Sequence, residues 1–117
     1  MNLNKIKMMI PRLSSKADSS PSKFKIAAAA FTKQGNLLGF ESNGFRDDIT
    51  SDKISRYGAG KHAERALMIK FGKKIDTIYL FRVGGSGNAL PIEPCEACKK
   101  TADKLGIKII SLVEYIN

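Results

Sequence analysis

The chain has 117 residues, room for one hydrophobic core and no second domain. Its 43% hydrophobic and 26% charged residues are those of an ordinary soluble globule, which excludes disordered and fibrous classes, and its longest apolar run, residues 26–31, is too short to cross a bilayer. Twenty Lys and Arg against 11 Asp and Glu give a formal charge of +9, which favours anionic partners such as nucleotides, RNA or single-stranded DNA. The N-terminal stretch lacks the apolar segment and small-residue cleavage site of a signal peptide, so a cytoplasmic location is expected.

In chain order, Ile6, Met9, Ile10, Leu13 and Ala17 are spaced for an amphipathic helix over residues 4–17, which Pro11 should kink or divide. Residues 18–22 have the composition of a loop. Residues 24–32 read as a buried strand whose alanines permit close packing against a helix, and Gln34-Gly35-Asn36 turns it into a second strand over 37–42, making a hairpin. A long polar segment, 43–60, has the length of a functional loop. A helix over 61–71 stops at Gly72, and residues 75–83 alternate like a strand. The run Gly84-Gly85-Ser86-Gly87 is a flexible connection without the Gly-Lys-Ser/Thr of a phosphate-cradling loop. A last helix should begin at Pro94 and stop at Gly106, followed by a strand over 107–113. The expected fold class is α/β: a three-layer α/β/α domain with a mixed sheet of about four strands and an N-terminal β-hairpin. Residues 1–21 supply the N-terminal helix and loop, and residues 22–113 the core.

Against this frame, the single histidine and both cysteines fall in two short motifs, His62-Ala63-Glu64 and Pro94-Cys95-Glu96-Ala97-Cys98. Two cysteines in a C-x-x-C arrangement can be a redox dithiol, half of a zinc site or an accidental pair. With His62 they would supply three of the four positions around a tetrahedral zinc. Structural zinc sites close with four protein ligands, and this chain has no fourth Cys or His, so the pattern favours a catalytic ion with an open position. Two thiolates, a neutral imidazole and Zn²⁺ sum to zero charge. Cys95 and Cys98 would share the first turn of their helix, where the dipole and free N–H groups stabilise thiolates. His62 and Glu64 stand two residues apart and so do not share a helical face. Both must therefore work at the mouth of the helix.

The order H-x-E…P-C-x-x-C resembles the signature of the zinc nucleobase deaminases. From about Ser22 to Val113 the chain resembles the cytidine deaminase superfamily, and the segment Ser22-Lys23-Phe24-Lys25-Ile26-Ala27-Ala28-Ala29 is similar to the entry into the first strand of free cytidine deaminases. The resemblance implies a cytidine deaminase-like fold, zinc held by His62, Cys95 and Cys98, and proton transfer by Glu64. It also implies that Asn43 contacts a substrate sugar, that the Ala63 backbone N–H meets the base carbonyl, and that Phe24 lines the pocket. Asn43-Gly44 is equally a plain turn, and Phe24 equally a core aromatic.

Free cytidine deaminases commonly carry cysteine at the position of His62. Histidine there is more similar to deoxycytidylate deaminases, tRNA adenosine deaminases and polynucleotide cytidine deaminases. The family core usually continues past the fourth strand, where this chain stops at Asn117, so a homo-oligomer is expected to complete it. The expected function is zinc-dependent hydrolytic deamination of cytosine in a free nucleoside or nucleotide. Arg46, Lys53, Arg56 and Lys61 are possible phosphate contacts. A polynucleotide deaminase acting on tRNA adenosine or single-stranded cytosine better explains the basic charge, but no aromatic-rich stretch offers base stacking. An inactive zinc-containing binding or assembly protein would have no need of Glu64.

Overall fold

The computed structural model describes residues 3–18, 25–43, 62–83, 89–90 and 92–112. They form helix α1 (Leu3–Asp18), strands β1 (Lys25–Phe31) and β2 (Leu37–Ser42), helix α2 (Ala63–Phe71), strands β3 (Thr77–Val83) and β4 (Ala89–Leu90), helix α3 (Glu96–Leu105) and strand β5 (Lys108–Ser111). A single 3₁₀ turn, Gly72–Lys74, joins α2 to the approach to β3.

The sheet is built around β1 and β3, which pair antiparallel along their whole lengths, from Lys25 with Val83 to Phe31 with Thr77. The other edge of β1 takes β2 as an antiparallel hairpin partner. On the far edge of β3, β5 pairs in parallel with residues 77–80, and the two-residue β4 pairs antiparallel with Arg82 and Val83. The sheet is therefore mixed, as expected. The hairpin forms as expected too; β3, after α2, runs parallel to β2, and β5, after β4 and α3, runs parallel to β3. Strand β4 is an addition: two residues carry no periodicity for a sequence reading to find.

Alternation along the two central strands explains the three layers. Ala27, Ala29 and Phe31 of β1, with Tyr79, Phe81 and Val83 of β3, face α1 and pack with its Met9, Leu13 and Ala17. Ala28 and Ala30, with Ile78 and Leu80, face the opposite way and meet Ala63, Leu67 and Met68 of α2 and Cys98 and Ala102 of α3. All four alanines of β1 are fully buried. With methyl side chains on both faces, this strand lets helices approach closely from either side.

Two sequence expectations are revised. Pro11 does not divide the first helix, which runs unbroken through it. A proline inside a helix costs about 3 kcal/mol, whereas burying Met9 and Leu13 at about 1.5–3 kcal/mol each offsets that loss. Pro11 itself lies exposed, so its ring disturbs no packing. The last helix begins at Glu96, two residues later than expected, with Cys95 as its N-cap and Pro94 before it. Its end is as expected: Gly106 adopts φ +73°, a left-handed conformation that favours glycine.

The packing of α2 generates a direct check. Leu67→Ala, at a fully buried position, should lower unfolding stability by about 2–5 kcal/mol, whereas Ile69→Ala, at a position 78% exposed on the same helix, should change it by less than about 0.5 kcal/mol. Denaturant midpoints at constant m-value measure both, and equal losses would refute the assigned helix face.

Candidate active site

Helix α2 follows β2 and α3 follows the short β4 that pairs with the last residues of β3, and both helices pack on one face of the sheet and lead into strands, β3 and β5, that run parallel to each other. The first residues of α2 and α3 thus meet at one end of the domain. His62 is the N-cap of α2, with extended backbone (φ −95°, ψ 132°). It therefore lies outside the regular helix, and the poor i, i+2 relation to Glu64 ceases to matter. Glu64 enters the first turn and is only 5% exposed.

Cys95 caps α3 with its own side chain, accepting the Cys98 N–H at 3.4 Å. That use of sulfur as a cap fixes the first thiol against the backbone of the second. It was missed in the sequence because the usual N-cap residues are Ser, Thr, Asp and Asn. Cys95 Sγ is exposed to solvent, whereas Cys98 is buried.

Both sulfurs converge on one nitrogen: His62 Nδ1 lies 3.4 Å from Cys95 Sγ and 3.6 Å from Cys98 Sγ. The three ligand atoms all lie within 4.8 Å of one another. Zinc bond lengths of about 2.0–2.1 Å to nitrogen and 2.3 Å to sulfur, at a tetrahedral angle, require N···S separations of about 3.6 Å. The donor set fits zinc in type and in spacing. Among the described residues it is the one group of three or more His, Cys, Asp or Glu side chains gathered closely enough to hold an ion.

Glu64 Oε1 stands 3.7 Å from His62 Nδ1 and 3.6 Å from Cys98 Sγ, beside the candidate metal position. Burial pushes its carboxyl above the ordinary carboxylate range, and the nearby His62 only partly opposes this. The Cys98 thiol is also pushed up strongly, first by burial and then by Cys95 and Glu64. Desolvation thus outweighs the helix N-terminus at Cys98 in the metal-free protein. A divalent cation would supply the missing countercharge for the thiolate.

The remaining expected contacts divide. Ala63 is buried in the first turn of α2, where backbone N–H groups have no partner within the helix. Asn43 lies just past β2, where its Oδ1 accepts the Ile26 N–H at 2.9 Å while its own N–H donates to the Ile26 carbonyl at 3.0 Å. This side chain closes the open end of the hairpin, a role that the Asn-Gly pair alone did not reveal. Phe24, Arg46, Lys53, Arg56 and Lys61 lie outside the described residues.

No family model matches the chain, and no curated protein matches it. Solved structures do. A deoxycytidylate (dCMP) deaminase from the cyanophage S-TIM5 superposes with a TM-score of 0.64 at 21% identity, over 95% of this chain and 84% of its own. A cytidine deaminase from Burkholderia pseudomallei superposes with a TM-score of 0.57 at 22% identity, over 86% and 76%. One from Mycobacterium tuberculosis gives 0.56 at 20% identity, over 88% and 81%. The chain has the fold of these deaminases.

Two outcomes follow from the geometry. The protein should bind one equivalent of zinc, and His62→Ala or Cys98→Ser should weaken that binding by at least about tenfold, as read by competition with a chromogenic chelator. Wild-type affinity in either variant would dismiss the donor set. In metal-free protein the raised carboxyl of Glu64 favours folding below its unfolded pKa, a contribution lost as pH rises through the folded value. Glu64→Gln should therefore be more stable than wild type at neutral pH, and the difference should vanish below about pH 4. Thermal melts across that range measure it.

Proposed function

We propose that the chain is a zinc-dependent hydrolase that deaminates cytosine in a free nucleoside or nucleotide, giving the uracil product and ammonia. The observation that carries this reading is the buried Glu64 carboxyl beside a three-donor group, His62 Nδ1, Cys95 Sγ and Cys98 Sγ. A merely structural ion would need a fourth protein ligand and no adjacent carboxylate. The shared fold with cytidine deaminases and a dCMP deaminase supports the same reading.

When bound, zinc would supply the Lewis acidity that makes water a nucleophile at neutral pH. The chain's own residues do the rest. Glu64 takes a proton from the attacking water and gives it to the ring nitrogen beside C4 of cytosine. It then takes the remaining proton from the hydroxyl added at C4 and gives it to the exocyclic amine; the C4–N bond breaks, ammonia leaves, and C4 keeps the oxygen as a carbonyl. A carboxyl raised by burial suits this work, because a carboxylate with a raised pKa is a stronger base toward the attacking water. The Ala63 N–H, in the first turn of α2 and without a partner within the helix, would donate to the base carbonyl. Asn43 contributes by holding the hairpin end next to which the sugar would lie.

This reading places the protein in the cytoplasm; among the described residues no helix is long and apolar enough to cross a membrane. The expected homo-oligomer is kept as part of this reading. Ammonia release from cytidine, deoxycytidine, their monophosphates and a short oligonucleotide tests the proposal. Zinc-loaded wild type should turn over a free nucleoside or nucleotide, and Glu64→Ala should keep zinc yet lose about 10²–10⁴-fold in rate. Equal rates in the two proteins would overturn it, and turnover of the oligonucleotide alone would replace it with a polynucleotide deaminase.

A further inference from the structure

The end of the sheet opposite the candidate active site has a charge pattern of its own. Phe31, Thr77 and Lys108 stand side by side there, as the register of β1, β3 and β5 requires. The bonds Asp76 N–H to the Phe31 carbonyl (2.8 Å) and Lys108 N–H to the Asp76 carbonyl (3.0 Å) tie the row together. Adjacent strands are about 4.8 Å apart, so the row is about 10 Å wide. Lys33 follows β1 by two residues, and Lys73 and Lys74 occupy the 3₁₀ turn leading to β3. Lys104 lies in the last turn of α3, and Lys108 opens β5.

All five lysines are exposed, and none has an ion-pair partner among the described residues. The acidic residues near them are Asp76, whose carboxylate accepts the Thr77 hydroxyl at 2.8 Å, and Asp103 of α3. Helix C-termini attract cations, which would account for Lys104 and for the pair after α2. Lys33 and Lys108 belong to strand ends, so that explanation does not reach them. The connections at this end, residues 32–36, 72–76 and 106–107, are short and all described.

We infer that this basic end is a second binding surface, separate from the candidate active site, for the phosphate backbone of a nucleic acid. Lysine is depleted in the cores of protein–protein interfaces, whereas it is a standard contact for phosphate. It is a flexible point charge without the planar fork of arginine, so the surface reads charge and not sequence. The exposed donors spread over three strand ends and two helix ends match a strand of repeating anions better than a single small ligand.

The test is fluorescence anisotropy of a labelled single-stranded RNA of mixed sequence across a salt series, using zinc-loaded full-length protein. Wild type should bind with a steep salt dependence. The pairs Lys33→Gln/Lys108→Gln and Lys73→Gln/Lys74→Gln should each flatten the log–log slope by about 1.4, since each single-strand phosphate contact contributes about 0.7. Arg12→Gln/Lys16→Gln on α1, the same loss of charge elsewhere, should leave the slope nearly unchanged. An equal effect of the α1 pair would overturn the inference, as would absence of RNA binding or binding only to vesicles rich in anionic lipid. Glu64→Gln should bind RNA as wild type does whether or not the protein deaminates cytosine, and loss of binding there would move the RNA to the candidate active site.

Discussion

The whole domain hangs on β1, a strand with pairing partners on both edges and a helix layer on both faces. Its four consecutive alanines, Ala27 to Ala30, are completely buried. Larger side chains at those positions would push α1 off one face, or α2 and α3 off the other, because protein interiors have no slack to absorb the added volume. The small residues thus set the thickness of both helical layers.

The site of His62, Cys95 and Cys98 holds groups that burial disfavours. Glu64 and Cys98 are both withdrawn from water, and burial raises the pKa of each. A cation held by the two sulfurs and His62 would compensate the thiolate charge. Holding His62 and Cys95 at N-cap positions is what makes the convergence possible. A cap residue has extended backbone, so its side chain can point away from the direction a helical residue must take.

The two ends of the sheet therefore differ in kind. At one end β2, β3 and β5 finish, α2 and α3 begin, and side chains of opposite tendency are pressed together in a partly dry space. At the other, α2 and α3 finish and β3 and β5 begin over short turns, and lysines stand in solvent with little to neutralise them. A polymer bound at the basic end and a small base bound at the other would not compete for the same residues.

The motifs His62-Ala63-Glu64 and Cys95-Glu96-Ala97-Cys98, the helix stops at Gly72 and Gly106, and the β1–β2 hairpin were legible from the chain, because each depends on neighbours a few residues apart. The buried alanine strand was legible as a strand, but not as the element shared by two cores. Local pattern also allowed Pro11 to divide the helix, which it does not, since the gain from burying Met9 and Leu13 against the sheet is invisible in the helix alone. Strand β4 had too few residues to carry a pattern at all. Only the tertiary structure decided that both sulfurs face Nδ1 of His62, that Cys95 caps its own helix, and that Asn43 closes the hairpin through Ile26. Sequence determined which chemical groups are present and which elements carry them. Their distances and their burial are properties of packing between segments about thirty residues apart, and no local rule contains them.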